Sequence, residues 1–463
     1  MKTRTTLGAL AAALLAGGTA LAAAAPAAAS GDAVTLSYFT FSAAPDHLED
    51  LDAIITAFEA ANPNITIEVQ TAAYDDYFTS LQTQIAGGSA PDTFELNYEN
   101  FVSFAASGAL LDLESSAPGT VDKAVYFPKA YDAFNYKGVQ LGVPESFSVV
   151  VLIYNKDLFD KAGLAAPTTY DTIQKAAQAL NGKNGVAGIT LATAPGSSFT
   201  EQTFEYLAQA NGCELVDNDK KVTLDSPQCV RTFDFYSNLA KNYSVKGNQT
   251  DDSTRATYFA GKAAMIIWSS FILDEMAGLR KDALPSCAEC KSAPAFLARN
   301  SGIVTSIQGP DGKQPSSFGE IVSFATTTSA PKDSAAKFIE YMMSDAYTQW
   351  LGIAPEGKVP TRQGTKPGDT SYLDAWQKLK AGVDTKAPLS EFYAPDVLAA
   401  VQKAPETFNR WGLPQGQGAL VGAMQGPLPV PKALAGLING SGDPAAAAQS
   451  AQKAVEDLQK STN

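Results

Sequence analysis

The sequence predicts an α/β protein built as two lobes. Strands and helices alternate from residue 34 onward, which implies a largely parallel sheet. The chain has 463 residues, and about 430 remain beyond an N-terminal leader, more than one core ordinarily holds. A break at Gly138–Pro144 separates two differently patterned regions, and the first crossing between lobes is expected there.

The leader covers residues 1–29. Lys2 and Arg4 precede an apolar run from Leu7 to about Ala25, and Ala27-Ala28-Ala29-Ser30 follows as a small-residue cleavage pattern. This is the pattern of a secretory signal peptide, and the run is too short and too rich in alanine for a good membrane span. Gly18, not cysteine, follows Leu15-Ala16-Gly17, and no cysteine precedes Cys213, so a lipid anchor is not expected. Cleavage removes Lys2 and Arg4 and no acid, taking the formal net charge from -14 to -16. Such a surface argues against nucleic acid or an anionic membrane as the main partner.

Four cysteines in an exported chain imply two disulfides. Cys213 and Cys229 bracket a hairpin pattern with its turn at 217–220, so their pairing is local. Cys287 and Cys290 form a C-x-x-C within a Pro/Ser/Ala-rich loop outside any βαβ pattern, which favours a structural bridge over redox work. A four-cysteine zinc site needs a second such knuckle, and none exists.

Along the chain, 34–39 is a strand and Asp46 can cap a helix with Leu48, Leu51, Ile54, Ile55 and Phe58 on one face. Asn62-Pro63 ends it, 65–69 is the next strand, 74–86 is helical, and Pro91-Asp92 leads into the strand 93–97. Past Gly138, 139–144 is followed by 149–154, a run apolar enough to be buried on both sides. Thr168 or Thr169 caps a helix through Leu180; further helices are expected at 200–211, 226–242, 254–260 and 333–344, with a strand at 263–268. Pro/Gly-rich stretches at 308–317, 354–369 and 412–431 are expected as loops or interlobe connections.

Four stretches carry a resemblance. They are Phe58-Glu59-Ala60-Ala61-Asn62-Pro63-Asn64-Ile65; Ala86-Gly87-Gly88-Ser89-Ala90-Pro91-Asp92; Gly142-Val143-Pro144 with the run from Tyr154-Asn155-Lys156 to Gly163-Leu164 and Pro167-Thr168-Thr169; and Phe259-Ala260-Gly261-Lys262-Ala263-Ala264-Met265 to Trp268-Ser269, followed later by Val359-Pro360-Thr361-Arg362. In this order and spacing, over about 34–365, the sequence resembles the family 1 extracellular solute-binding proteins of bacterial ABC importers, the group that includes maltose-binding protein. The resemblance implies a periplasmic-binding-protein-like fold of two discontinuous α/β lobes around a hinge and cleft. One lobe would hold 30–143 with 298–353, the other 144–297 with 354–463. It also implies non-catalytic capture of a mono- or oligosaccharide by hinge closure and delivery to membrane permease subunits, with no cofactor.

A sugar presents apolar C–H faces and many hydroxyls, so its site wants aromatic plates with Asp, Glu, Asn and Arg side chains. Open α/β sheets bind ligands beyond the carboxyl ends of their strands. The candidates at strand ends or the loops after them are Phe41 and Ser42; Glu95, Asn97 and Tyr98; Ser146, Phe147 and Ser148 at the crossing; Trp268 and Ser269; Phe318, Gly319 and Glu320, which precede an expected strand at 321–325; and Arg362 after Val359-Pro360. The resemblance places Trp268 toward the cleft, against the competing reading of a core tryptophan. Trp411 suits a cleft lid or interhelix packing equally, and Arg362 holds either a ligand hydroxyl or a neighbouring carboxylate.

Catalytic readings find little support. His47 is the one histidine, so triads and His-rich metal sites lack partners. Gly261-Lys262 is followed by Ala263 and makes no P-loop, and Gly416-x-Gly418-x-x-x-Gly422 misses the dinucleotide spacing. Glu95, Glu145 and Glu320 leave two alternatives: a cage for a polyamine or other cation, and a secreted carbohydrate-active enzyme with a carboxylate pair.

Overall fold

Strand β1 (Val34–Thr40) pairs in parallel with β2 (Ile65–Thr71) on one edge and β3 (Thr93–Asn97) on the other in the computed structural model, which describes residues 32–42, 44–440 and 442–462. The leader at 1–29 lies outside the described residues. Helices α1 (Pro45–Ala61) and α2 (Tyr74–Ala86) make the crossovers, and α3 (Tyr98–Ala106) leaves the end of β3. Leu51, Ile54, Ile55 and Phe58 of α1 are buried, as a 3.6-residue period demands. The helix begins at Pro45 after Ala44, one residue before the expected cap, because proline's fixed φ suits the first helical position.

The expected strands at 139–144 and 149–154 are a short Val139–Gln140 strand and one 14-residue strand, β4 (Gly142–Asn155). The far half of β4 pairs antiparallel with β5 (Met265–Ser269) and β6 (Ser301–Val304). Its near half pairs with β7 (Phe318–Thr326), whose other edge meets β3, and with β8 (Val359–Pro360). The sheet order is therefore β8-β4-β7-β3-β1-β2, and β4 carries it from one lobe into the other. Pro144 cannot donate to the ladder, and the register with β7 shifts between Pro144 and Ser146.

The second lobe gathers α4 (Tyr170–Leu180), α5 (Ser198–Ala210), α6 (Pro227–Tyr243) and α7 (Asp251–Phe259) around β5. Thr169 forms a capping box with Thr172 as expected and Ser226 accepts from the Cys229 N–H, while the helix expected at 254–260 begins three residues earlier, at Asp251, because Thr250 forms a capping box with Ser253. The turn at 217–220 forms as expected, with Lys220 in the left-handed region and Val216 bridging Val222. Disulfides join Cys213 to Cys229 and Cys287 to Cys290.

Beyond β7 come α8 (Lys332–Met342), α9 (Pro395–Thr407), α10 (Gly418–Met424), α11 (Pro429–Asn439) and α12 (Pro444–Thr462). Two stretches differ from expectation. Residues 301–312, assigned above to the first lobe, contact the second: β6 lies on β4, the Gly309 N–H donates to the Ala210 carbonyl, and Arg231 pairs with Asp311 at 2.7 Å. The stretch 412–431 is not all loop. It contains α10, a helix whose Gly418 and Gly422 permit an approach to α3 that a side chain would obstruct: a Cβ at 418 would lie 2.1 Å from Val102 Cγ2, and one at 422 would lie 2.8 Å from the Glu99 carbonyl oxygen.

Candidate functional site

The α3–α10 contact closes one side of a cavity of about 680 Å³. Its first-lobe wall is Phe78 and Gln82 of α2 with Asn97, Glu99, Asn100 and Ser103; its second-lobe wall is Ser198 and Gln202 of α5; Ala423 and Gln425 border it from α10 and just beyond. Asn97 is the N-cap of α3: its Oδ1 accepts from the Asn100 N–H, while its Nδ2 donates to Glu320 Oε1 at 3.0 Å. The wall mixes amides, hydroxyls and a carboxylate with the rings of Phe78 and Phe104.

Behind this wall stands Arg410, 1% exposed. Its Nη2 donates to Glu99 Oε1 at 2.5 Å, its Nε to Glu205 Oε1 at 3.2 Å, and its Nη1 to the Gly319 carbonyl at 3.2 Å. The guanidinium lies over the rings of Phe318 at 4.6 Å and Tyr98 at 5.6 Å. Burial works against its charge, but Glu205 and Glu99 outweigh that and hold its pKa above the usual value. Glu99 comes from the first lobe and Glu205 from the second, so one buried cation bridges both. Glu201, one turn before Glu205, has its carboxyl pushed well up by burial and then by Glu205 and Glu99, with only Arg410 opposing. Glu214 is pushed up to about 7 by burial and Glu205.

Asn97, Tyr98, Phe318, Gly319, Glu320 and Trp411 thus gather around Arg410 and the Asn97 cap. Trp411 is 1% exposed; its Nε1 donates to the Cys213 carbonyl at 2.9 Å and its ring packs near Phe204, so it meets the site through its backbone N–H, 2.6 Å from Glu205 Oε1. Phe41 stacks edge-on to Tyr77 and lies 6.2 Å from Phe78, one ring away from the cavity.

Other candidates stand elsewhere. Ser42 is buried, its N–H on Thr40 Oγ1. Glu95 and Glu145 share Lys358, whose Nζ lies 3.7 and 3.5 Å from them in the first-lobe core, so neither forms a cage with Glu320. Ser146, Phe147 and Ser148 lie in the β4–β7 ladder, with Phe147 packed on Phe408. Arg362 is buried against the rings of Tyr126 and Tyr372 and donates to the Met343 carbonyl, and it is not among the residues lining the cavity above. Trp268 is 8% exposed; its Nε1 donates to the Asp251 carbonyl at 3.1 Å, and its ring meets Phe199, the neighbour of Ser198. Ser269 is half-buried at the end of β5.

Sequence reasoning passed over Arg410, Glu99, Glu201, Glu205, Asn100 and Gln202. A signal existed: Glu201 and Glu205 stand four apart on one face of a helix, a repulsive spacing that asks for a counter-charge. Among the described residues, no group of three or more His, Cys, Asp and Glu is placed to hold a metal ion, and no helix is long and apolar enough to cross a membrane.

A family model for bacterial extracellular solute-binding proteins matches residues 44–349. The chain belongs to that family. Like others of it, the protein is extracytoplasmic. Its relatives include the putative ABC transporter periplasmic-binding protein YcjN of Escherichia coli K12, 25% identical over 339 residues that cover 71% of this chain and 74% of that protein. An arabinooligosaccharide-binding protein of Halalkalibacterium halodurans is 22% identical over 213 residues, 45% of this chain and 46% of that one. Among solved structures, the Listeria monocytogenes substrate-binding protein Lmo0181, in complex with cycloalternan, superposes with a TM-score of 0.69 at 26% identity, covering 93% of this chain and 100% of its own. The GacH receptor of Streptomyces glaucescens has the same fold, with a TM-score of 0.72 at 20% identity over 92% of this chain and 99% of its own. The shared architecture is the two-lobed α/β fold of this family.

Proposed function

We propose that this member of the family captures a carbohydrate outside the cytoplasm, closes its lobes on it and presents it to the membrane subunits of an ABC importer. The observation that carries the reading is the interlobe cavity of about 680 Å³ between α3, α5 and α10, whose amide, hydroxyl and carboxylate groups beside Phe78 and Phe104 match a sugar's hydroxyls and C–H faces. The arabinooligosaccharide and cycloalternan named for the relatives above support the same class. Sugar contacts fall to Asn97, Asn100, Ser198 and Gln202, with Phe78 and Phe104 as apolar surface and Glu320 holding the Asn97 amide. Capture involves no reaction, as in the binding proteins it resembles. Residues 1–29 direct export as a cleaved signal peptide without a lipid anchor.

The lobe boundaries follow the strand pairings. The first lobe takes the chain to the register shift after Pro144 and again from β7; the second takes the far half of β4 through residue 312. The stretch 354–407 ties both together, with Lys386 on Asp50 and the Val383 N–H on the Leu279 carbonyl, and 410–462 completes the second lobe.

A thermal-shift screen of the mature chain against neutral mono- and oligosaccharides tests the reading. A ligand at a thousandfold excess over Kd adds about 4 kcal/mol of stability. At least one saccharide is expected to raise the melting temperature and to be recovered unchanged by chromatography. A sugar consumed during incubation would point to an enzyme, and a screen in which only polyamines act would end the carbohydrate assignment.

A further inference from the structure

We propose that the ligand carries a protonated amino group, bound by Glu201 and Glu99 beside Arg410, so that the protein selects amine-bearing saccharides. The inference rests on the carbohydrate reading above and narrows it.

A second cavity, of about 10 Å³, adjoins the large one, and Glu99, Ser198, Gln202 and Gln425 line both. Its size suits a single water-sized group. Glu201 and Glu99 border it at 5% and 2% exposure, and Oε2 of each has no hydrogen-bond partner among the described residues. Such buried acceptors are costly unless something donates to them.

Two features define the donor. With both carboxyls ionised against a cation, a hydroxyl would satisfy one with its single hydrogen and turn its own lone pairs toward the other; an ammonium offers three donors and no lone pair, and its charge offsets the burial that otherwise favours a proton on Glu201. The charge is also unbalanced. Glu99, Glu201 and Glu205 face one another across α3 and α5, and Arg410 is the one cation among the described residues that meets them. Arg410 is already held by Glu99, Glu205 and Gly319, with its plane between aromatic rings, and is not free to serve Glu201. A cationic nitrogen on the ligand supplies both the donors and the charge.

Matched sugars differing in one substituent test this: glucosamine, N-acetylglucosamine and glucose, the corresponding galactose series, and chitobiose, N,N′-diacetylchitobiose and cellobiose, titrated calorimetrically into the mature chain. At least one amine is expected to bind tenfold or more tightly than both of its partners, and Glu201→Gln to remove that preference. Amine affinity should strengthen as pH rises, because a bound ammonium needs the ionised form of Glu201 that burial opposes, whereas a neutral sugar should show no such gain. The pH series uses the unaltered protein and stands even where the variant misfolds. Neutral or acetylated sugars binding as tightly as every amine would overturn the inference and leave the carbohydrate reading intact. Spermidine binding with no saccharide binding would end the carbohydrate reading and keep the ammonium subsite. No binding by any amine would end the inference.

Discussion

Arg410 Nη2 lies 2.5 Å from Glu99 Oε1, an ion pair that joins the first turn of α3 to a loop 311 residues later. Both side chains are almost fully buried, so the pair is not screened as a surface bridge would be. Removing one partner leaves a desolvated charge behind, which typically costs about 3–5 kcal/mol. Arg410→Met is expected to lose that much stability in urea unfolding, and adding Glu99→Gln with Glu205→Gln should recover part of it. An unchanged midpoint in Arg410→Met would mean that the lobes do not close on this arginine in solution.

Lys358 does a comparable task inside one lobe. Its Nζ lies 3.5 Å from Glu145, 3.7 Å from Glu95 and 3.9 Å above the Trp350 ring. Burial pushes Glu95 up from 4.5 to about 7, against the pull of Lys358. The folded state therefore keeps a proton on Glu95 that the unfolded chain releases. The resulting stability is fully present below pH 4.5 and is lost as pH rises toward about 7. Stability curves of the wild type and Glu95→Gln should diverge in favour of the variant across that window and run parallel outside it. A difference that does not depend on pH would show that Glu95 titrates normally.

The bridge between Cys213 and Cys229 spans 16 positions and ties the end of α5 to the start of α6. Closing a loop of about 15 residues contributes roughly 3 kcal/mol in the chain-entropy model. Cys213→Ser should lower the melting temperature in differential scanning calorimetry without changing sugar affinity, since the bridge lies beyond the C-terminal end of α5 while Ser198 and Gln202 stand in its first two turns. A loss of affinity would show that the disulfide also sets the position of α5.

Local chemistry is what the sequence made readable. The turn at 217–220, the Thr169 cap and the buried face of α1 each depend on neighbours a few residues apart. Strand-end candidates such as Asn97, Phe318 and Glu320 were also accessible, because the sheet brings such ends together. The Arg410 cluster was not. Glu99, Glu205 and Arg410 are scattered over three hundred residues, and a charged triad at such spacing resembles solvated surface until the fold buries it. Trp411 drew attention as the aromatic neighbour of Arg410, yet its ring is buried near Phe204 with its Nε1 on the Cys213 carbonyl. Gly418 and Gly422 suggested a loop by composition; only the partner helix explains why a helix accepts them.

Those two glycines provide the most direct test of closure. Glycine within a helix costs roughly 0.5–1 kcal/mol relative to alanine, so Gly418→Ala with Gly422→Ala should strengthen α10 in isolation. In the closed protein the added Cβ atoms would lie 2.1 Å from Val102 Cγ2 and 2.8 Å from the Glu99 carbonyl oxygen. Neither approach is tolerable, and the second is against backbone, so α3 and α10 must separate. Separation also draws Glu99 away from Arg410 and opens the cavity wall, which removes the differential affinity that drives closure. The double variant should bind its sugar at least tenfold more weakly, and its radius of gyration by small-angle X-ray scattering should stay the same when sugar is added, while that of the wild type contracts. Gly436→Ala, in α11, is the control, since a Cβ there meets nothing within 4 Å. If the double variant binds and contracts as the wild type does, the α3–α10 contact is not part of the closed state and the cavity it borders is not the sugar site.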